Sequence, residues 1–146
     1  METNTNRRHL RFLCRGNCNS VLELGGKFMK SKLKSLQKKL TKLTAEAVIR
    51  RDDSTCQWCG KWVEGQGRHI SHVIPKSEGK VLRWDMENLC VLCYYCHIQK
   101  WHHNPMDAAK WFKSQFPERW KYLQEHRREI VKWKAEDYQR MIKEYL

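Results

Sequence analysis

Between residues 28 and 50, apolar side chains recur every three or four positions and polar side chains fill the gaps. This spacing places the apolar residues in one narrow stripe along an α-helix. The stripe consists of Leu33, Leu36, Leu40, Leu43 and Ala47. Gly25 and Gly26 come directly before it, and paired glycines commonly interrupt regular structure. We therefore predict a helix over residues 28–51 and, before it, a flexible arm over residues 1–27.

A second periodic region, residues 105–146, predicts a helical extension. Asn104 and Pro105 form a typical helix start, with a capping side chain followed by a proline at the first helical position. This helix should end near Gln115, and Pro117 should begin a second one that continues through the region. Its apolar side would comprise Trp120, Leu123, Ile130, Val131, Tyr138, Met141, Ile142 and Tyr145. We expect the tryptophans to be core and docking residues rather than base-stacking residues.

The charge of the chain is strongly positive, with 29 Lys and Arg residues against 16 Asp and Glu residues and a net charge of +13. Residues 1–51 hold 13 basic and 3 acidic residues, residues 52–104 hold 6 of each, and residues 105–146 hold 10 and 7. Such a balance favours a polyanionic partner, either nucleic acid or an acidic membrane surface. The membrane is the weaker interpretation, because the leucine stripe is narrow and Phe28 is its only aromatic neighbour.

The predicted helix concentrates this positive charge in seven lysines, and no acidic residue interrupts them before Glu46. They are Lys27, Lys30, Lys32, Lys34, Lys38, Lys39 and Lys42. A solvated helix normally mixes charges of both signs, so lysines that repel one another favour an external anion. We predict that Lys34, Lys38 and Lys39 contact DNA phosphates, and the alternative is a merely solvated face.

The cysteine content indicates metal chemistry rather than disulfides. Seven cysteines is an odd number, and the first residues do not read as a secretory leader. The longest stretch without Asp, Glu, Lys or Arg is the twelve residues from Asn88 to Gln99, which is too short to cross a bilayer. We therefore expect a cytoplasmic protein with no membrane partner, whose cysteines are reduced. Its oligomeric state stays open.

Two Cys-x2-Cys pairs, with 33 residues between them, predict a zinc site. The first pair is Cys56 and Cys59, followed by a glycine that relieves the tight turn. The second pair is Cys93 and Cys96, which we prefer to Cys90 and Cys93 because it lies at the start of a helix. Four thiolates fill a tetrahedral shell, so this zinc should be structural. Cys90 is then expected to be a small buried residue.

A looser pair, Cys14 and Cys18, lies in the basic arm with His9 nearby. A second small metal knuckle would need two further ligands. The alternative, an ordinary reduced pair, stays open.

A group of histidines and an asparagine lies between and beside the two cysteine pairs, and it is surplus to a zinc shell that four cysteines already fill. It comprises His69-Ile70-Ser71-His72-Val73-Ile74-Pro75, Asn88-Leu89 and Cys93-Tyr94-Tyr95-Cys96-His97-Ile98-Gln99-Lys100. This pattern resembles the HNH, or ββα-metal, nuclease family, in which a hairpin strand with His-Val/Ile-x-Pro is followed by Asn-Leu and a Cys-x2-Cys-His-x2-Lys helix.

The resemblance covers residues 56–100 and implies an α+β fold. Its centre would be a small zinc-knuckled ββα-metal core over residues 52–104, with the basic helix before it and the helical tail behind it. More narrowly, the basic arm with cysteines, the Lys-rich helix and the His-x2-His spacing resemble the NinG and Rap recombination proteins of lambda-like phages.

The HNH resemblance also implies roles for individual residues. Cleavage of an anionic phosphodiester needs a positioned water, a base for that water and a cation beside the leaving oxygen. His72 would be the general base, His97 a ligand of one catalytic divalent ion (Mg²⁺ or Mn²⁺), and Asn88 the residue that ties down the loop orienting His72. Lys76 and Lys100 adjoin these motifs and are added to the predicted DNA contacts.

The sequence departs from the family at two positions. Relatives usually place Asp or His directly before the catalytic histidine, where this chain has Ser71. Because strand side chains alternate, His69 should share the side of Ser71 and reach the ion in its place. Otherwise water would complete the shell and His69 would contact the phosphate. Some relatives also have a histidine where this chain has Trp101; His102 or His103 could substitute, although helix rotation would place them differently.

The predicted function is a metal-dependent endonuclease that hydrolyses DNA with weak sequence preference, in phage DNA recombination, repair or processing, and in the host cytoplasm if the chain is phage-encoded. One alternative is a zinc-stabilised nucleic-acid-binding protein without catalysis. Another is an adaptor that binds a protein through the aromatic tail. The sequence does not distinguish duplex, flap, branched, single-stranded or RNA substrates.

Overall fold

A computed structural model describes residues 19–146, with side chains from residue 28 onward. Two strands form an antiparallel sheet in which His69 lies opposite Leu92 and His72 opposite Leu89. The elements in chain order are helix α1 (Asn19–Arg51), strand β1 (Arg68–His72), strand β2 (Leu89–Cys93), a π-helix (Cys96–His102), α2 (Pro105–Gln115), α3 (Pro117–His126) and α4 (Ala135–Glu144). This mixed architecture confirms the predicted α+β fold with a small ββα core.

Helix α1 begins earlier than predicted. It includes Asn19, the first described residue, and continues through Gly25 and Gly26, so the predicted break there is wrong and the proposed arm cannot extend to residue 27. A glycine in a helix costs about 1 kcal/mol relative to alanine, but it keeps its backbone hydrogen bonds and therefore weakens a helix without ending it. Cys14 and Cys18, with His9, lie outside the described residues.

The leucine stripe of α1 is covered by α4, which comes from the far end of the described chain. Leu40 is fully buried in a cluster with Trp84, Tyr138 and Ile142, and the other stripe leucines pack against this cluster. The Gln37 side chain donates a hydrogen bond to the Tyr138 hydroxyl across the same contact, at 2.9 Å. The stripe therefore forms a contact between helices of the same chain. No helix among residues 19–146 is long and apolar enough to cross a membrane.

The tail contains three helices where two were predicted. Helix α2 has the predicted bounds, but the predicted second helix is interrupted between His126 and Ala135. The apolar residue Ile130 in this interruption is 93% exposed. The interruption lets α4 lie on α1, where Tyr138 and Ile142 are buried, and such packing supplies most of the stability of helices in proteins.

Aromatic residues connect the tail to the region of the first cysteine pair. The ring of Trp58 stacks on Trp111 of α2, with centroids 4.3 Å apart, and Trp101 meets Trp58 edge-on at 6.3 Å. In the tail, Trp111 and Trp120 pack against the main core cluster and Trp133 packs against the cluster around Leu40, which agrees with the interpretation of the tail tryptophans as core and docking residues. Trp62, which lies outside the tail, is instead 63% exposed.

Candidate functional site

The two Cys-x2-Cys pairs meet in the fold. The sulfur atoms of Cys56, Cys59, Cys93 and Cys96 all lie within 4.8 Å of one another, and those of Cys59 and Cys93 are 3.9 Å apart. Zinc–sulfur bonds of 2.3 Å in a tetrahedron would place the sulfurs roughly 3.8 Å apart. The four cysteines could therefore hold a metal ion. Gly60 follows the first pair with a φ of +73°, the left-handed conformation that glycine adopts without strain.

Thiol chemistry around this cluster also favours a bound cation. Burial raises the pKa of both Cys56 and Cys96, which disfavours free thiolates there. At Cys59, burial also raises the pKa, but hydrogen bonds from the Lys61 backbone N–H and the neighbouring thiols outweigh it and lower the pKa to about 7. A metal ion removes the cost of the buried thiolates, because coordination deprotonates a thiol.

Cys90 lies outside this cluster. It is fully buried in β2 opposite Ser71, and burial raises the pKa of its thiol to about 12. This agrees with the preference for Cys93 and Cys96 as the second pair. A buried, protonated thiol is chemically a small apolar side chain.

Asn88 holds both ends of the loop between the two strands. Its side chain is fully buried; Oδ1 accepts a hydrogen bond from Ile74 N at 2.7 Å, while Nδ2 donates to the carbonyls of Ile74 and Leu82 at 3.1 and 3.0 Å. The Asn88 carbonyl accepts from Val73 N at 2.9 Å. Asn88 therefore fixes the two residues that follow His72, while making no direct contact with the imidazole among the described hydrogen bonds.

Two arginines from distant helices hold the turn that presents Asn88. Arg51, at the end of α1, donates to the carbonyls of Met86 and Leu89, both at 2.6 Å. Arg119, in α3, donates to the carbonyls of Glu87 and Leu89 at 2.8 and 2.9 Å. These carbonyls flank Asn88 on both sides. Sequence reasoning missed both arginines, because no local motif connects residues that meet only through tertiary packing.

His72 ends β1 and is half-buried. Its Nε2 lies 3.0 Å from the backbone carbonyl of Arg83. A carbonyl oxygen only accepts, so Nε2 of the neutral ring carries the hydrogen and Nδ1 keeps a lone pair. Burial, together with the positive charges of Lys76 and Arg83, lowers the pKa of His72 to about 4. The imidazole is therefore neutral at pH 7 and able to accept a proton.

Three further histidines form a row. The ring centroids of His69 and His97 are 4.8 Å apart, those of His97 and His102 are 4.5 Å apart, and the Nε2 atoms of the second pair are 3.1 Å apart. His69 Nε2 and His97 Nδ1 are buried and have no hydrogen-bond partner among the described residues. Burial, and then the charges of neighbouring histidines, lower the pKa of His97 to about 4. Neutral, unpartnered imidazoles are the form in which histidine binds metals.

His102 reaches this row because the helix that carries it is a π-helix. The backbone N–H of His103 donates to the carbonyl of Ile98, five residues earlier, at 3.2 Å. This hydrogen-bond spacing widens each turn relative to an α-helix. The sequence left His102 and His103 open as substitutes for a histidine at position 101, and the π-helix brings His102 beside His97. His103 is exposed and makes no described contact with the row.

A cleft of about 890 Å³ connects these groups. His72 borders it, as do His97, His102 and Ser71, while residues of α2 and α3 form its far wall. Ser71 Oγ is buried there without a hydrogen-bond partner in the described part of the chain. The general-base candidate and the histidine pair thus face one shared space that a substrate can enter.

The predicted DNA-contacting lysines occupy different surroundings. Lys34, Lys38 and Lys39 are exposed on α1, and Lys76 is exposed at the rim of the cleft. Lys100 instead lies with its Nζ 5.1 Å from the ring centroid of Trp58, which ties it to the cysteine region.

Comparison with known proteins adds one match. Residues 56–103 match the model of the HNH endonuclease family. The matched segment contains the cysteine cluster, the hairpin, its loop and the π-helix. No curated protein and no solved structure gave a significant match. The match indicates a nuclease-type function and a nucleic-acid substrate, while the narrower similarity to NinG and Rap stays a prediction.

Proposed function

We propose that this protein is a metal-dependent endonuclease that hydrolyses phosphodiester bonds in DNA. One observation carries the proposal: His72, with Nδ1 available, borders the same cleft as the His97–His102 pair, inside the segment that matches the HNH family. A binding module without catalysis would need neither a free imidazole lone pair nor unpartnered imidazoles beside it.

His72 would act as the general base for the attacking water. Donation from Nε2 to the Arg83 carbonyl orients the ring, so that Nδ1 accepts the proton of the water. Because burial keeps the ring neutral, no proton must first be removed at pH 7. A positioned acid or base of this kind typically contributes a factor of about 10²–10⁴ in rate.

A divalent ion would bind at the pair of His97 and His102, whose Nε2 atoms lie 3.1 Å apart. His69, whose ring centroid is 4.8 Å from that of His97 and whose buried Nε2 has no partner among the described residues, would be a further ligand. Such an ion would supply positive charge beside the leaving oxygen. Of the two ions that the sequence predicts, Mn²⁺ suits this set better, because imidazole is a ligand of transition metals more than of Mg²⁺.

The four cysteines would hold a separate, structural zinc ion. Four thiolates close the tetrahedral shell and leave no position for water or substrate. In this proposal the zinc maintains the fold of the site and takes no part in the reaction.

The lysines of α1 would bind the DNA backbone. Lys42 and Glu46, 3.9 Å apart, form the only salt bridge of this helix before its last turn among the described side chains, which leaves Lys34, Lys38 and Lys39 available to phosphates. Phosphate contacts of this kind carry little sequence information. The similarity of layout to NinG and Rap supports, as part of the proposal, a role in phage DNA recombination, repair or processing in the host cytoplasm.

The test is incubation of the purified protein with supercoiled plasmid and with a branched DNA, in Mg²⁺, Mn²⁺ or chelator. We expect nicking that chelator abolishes and that is faster in Mn²⁺. His72→Ala should slow it by about 10²–10⁴ while DNA affinity and melting temperature stay unchanged. Zinc-loaded wild-type protein that binds DNA but cuts no substrate with any divalent ion would replace this proposal with the binding module.

A further inference from the structure

His72 borders a second, smaller cavity that the proposed reaction does not use. This cavity has a volume of about 140 Å³ and lies between α1 and the loop after β1, with Thr41, Thr44, Lys76 and Arg83 in its lining. Cavities that enclose whole small-molecule ligands usually measure about 300–1,000 Å³. The smaller cavity therefore suits a single chemical group rather than a nucleotide.

The charge of its lining selects an anion. Lys76 and Arg83 line it, and no carboxylate does so among the described residues. Neither cation forms a salt bridge in the described part of the chain, whereas Arg51, Arg119 and Arg127 each pair with a carboxylate. The guanidinium of Arg83 lies over the ring of Trp84, 4.8 Å from its centroid, which limits its motion.

The two threonine hydroxyls in the lining already make hydrogen bonds within the protein. The Thr41 hydroxyl donates to the Gln37 carbonyl at 2.8 Å and accepts from Trp84 Nε1 at 2.9 Å. The Thr44 hydroxyl donates to the Leu40 carbonyl at 2.9 Å. Because His72 Nδ1 can only accept a hydrogen bond, the side chains left to donate hydrogen bonds to a ligand are the two cations. A planar guanidinium matches phosphate geometry with two parallel hydrogen bonds.

The position of the cavity connects it to the reaction. The Arg83 carbonyl contacts His72 Nε2 at 3.0 Å, so the Arg83 side chain belongs to the residue whose backbone holds the proposed base. Along α1, Lys34 and Lys38 precede Thr41 by seven and three residues, which places them on the same side of the helix. A DNA strand that follows these lysines reaches the small cavity before it reaches the cleft.

We propose that this cavity is a phosphate-binding subsite, in which Arg83 and Lys76 hold the backbone phosphate next to the scissile one. The inference rests on the proposed nuclease function and deepens it by assigning a register to the bound strand. Arg83 would be a binding residue that positions the strand against His72.

The experiment compares Arg83→Ala, Arg83→Lys and Arg128→Ala. Arg128 is exposed, lines neither cavity and forms no described salt bridge, so it controls for the loss of one positive charge. Affinity for a labelled duplex oligonucleotide is measured over a range of salt concentrations without added divalent ion, and cleavage is measured in Mn²⁺. Lys76→Ala is the second variant, because Lys76 is exposed and its removal should leave folding intact.

We expect Arg83→Ala to weaken DNA binding about tenfold, as loss of a charged hydrogen bond should, and to reduce the salt slope by about 1. Cleavage should fall further than binding, Arg83→Lys should recover part of both, and Lys76→Ala should show a smaller loss. Equal effects of Arg83→Ala and Arg128→Ala would contradict the proposed subsite. Unchanged DNA affinity and salt slope in both Arg83→Ala and Lys76→Ala would contradict it as well. Wild-type protein that does not cut DNA, combined with the expected binding losses, would reject the nuclease proposal and leave the anion site standing.

Discussion

The π-helix supplies one residue of the cysteine cluster and two of the histidine row, yet the cluster is closed and the row borders an open cleft. Cys96 is buried against the other three cysteines, while His97, the next residue, borders the open cleft. In the cysteine cluster, four ligands of one kind surround a closed position. In the histidine row, His97 and His102 border a cleft that a substrate can enter. One short segment thus contributes to a closed cysteine cluster and to an open cleft, because its adjacent residues face different sides.

The largest effect on the fold is expected from the removal of one cysteine of the cluster. Cys59→Ser should abolish cooperative folding, because structural zinc sites contribute roughly 10–16 kcal/mol of binding free energy, which is comparable to the whole stability of a typical domain. Metal analysis of the wild type should find about one tightly bound zinc per chain. Cys90→Ala, which removes a fully buried cysteine outside the cluster, should retain zinc and melt cooperatively. A Cys59→Ser protein that folds without zinc would show that the cluster is not a structural metal site.

The histidine row should behave in the opposite way, with activity lost and the fold kept. His102→Ala should raise the Mn²⁺ concentration needed for half-maximal cleavage by about 100-fold, since even removal of a ligand's supporting hydrogen bond costs 10–100-fold. His103→Ala is the matched control, because His103 is the adjacent exposed histidine and should change little. Thermal melting and zinc content should match the wild type in both variants. Equal Mn²⁺ dependence in the two variants would remove His102 from the proposed ligands.

A third comparison concerns the loop rather than either metal position. Arg119→Lys keeps the charge but loses the forked donation to the carbonyls beside Asn88. A small displacement of His72 should lower kcat about tenfold, with KM and zinc content little changed. Arg140→Lys, which alters an exposed pair with Asp137, is the control. A drop in melting temperature with kcat unaltered would assign Arg119 to stability alone.

The smallest expected effect is in the pH profile. A base with the ordinary histidine pKa of 6.5 would lose about tenfold in rate between pH 7.5 and 5.5. The pKa of His72 is lowered to about 4, so the ring stays neutral over this range and the rate at saturating Mn²⁺ should change less than twofold on this account. A tenfold loss centred near pH 6.5, with zinc retained, would argue against His72 as the base in this environment.

The sequence predicted local features well and tertiary ones poorly. The cysteine pairs and the leucine stripe are read from spacing within one element, and both appear in the structure. The position of His102 beside His97 was not predicted, because a π-helix has no clear sequence signature. The interruption after His126 was missed because apolar residues continue across it. Arg51 and Arg119 could not be predicted, since their targets are backbone carbonyls, which carry no side-chain signal.

The contact between α1 and α4 also bears on how the chain is made. The leucine stripe of α1 packs against Trp84 and against α4, and Gln37 meets Tyr138 across 101 positions of sequence. During synthesis, α1 leaves the ribosome with this stripe uncovered, and contacts between such distant residues form slowly. The turn held by Arg51 and Arg119 likewise waits for α3 to emerge. Assembly of the cleft therefore requires α3, and a nascent chain that has not reached α3 lacks the complete site.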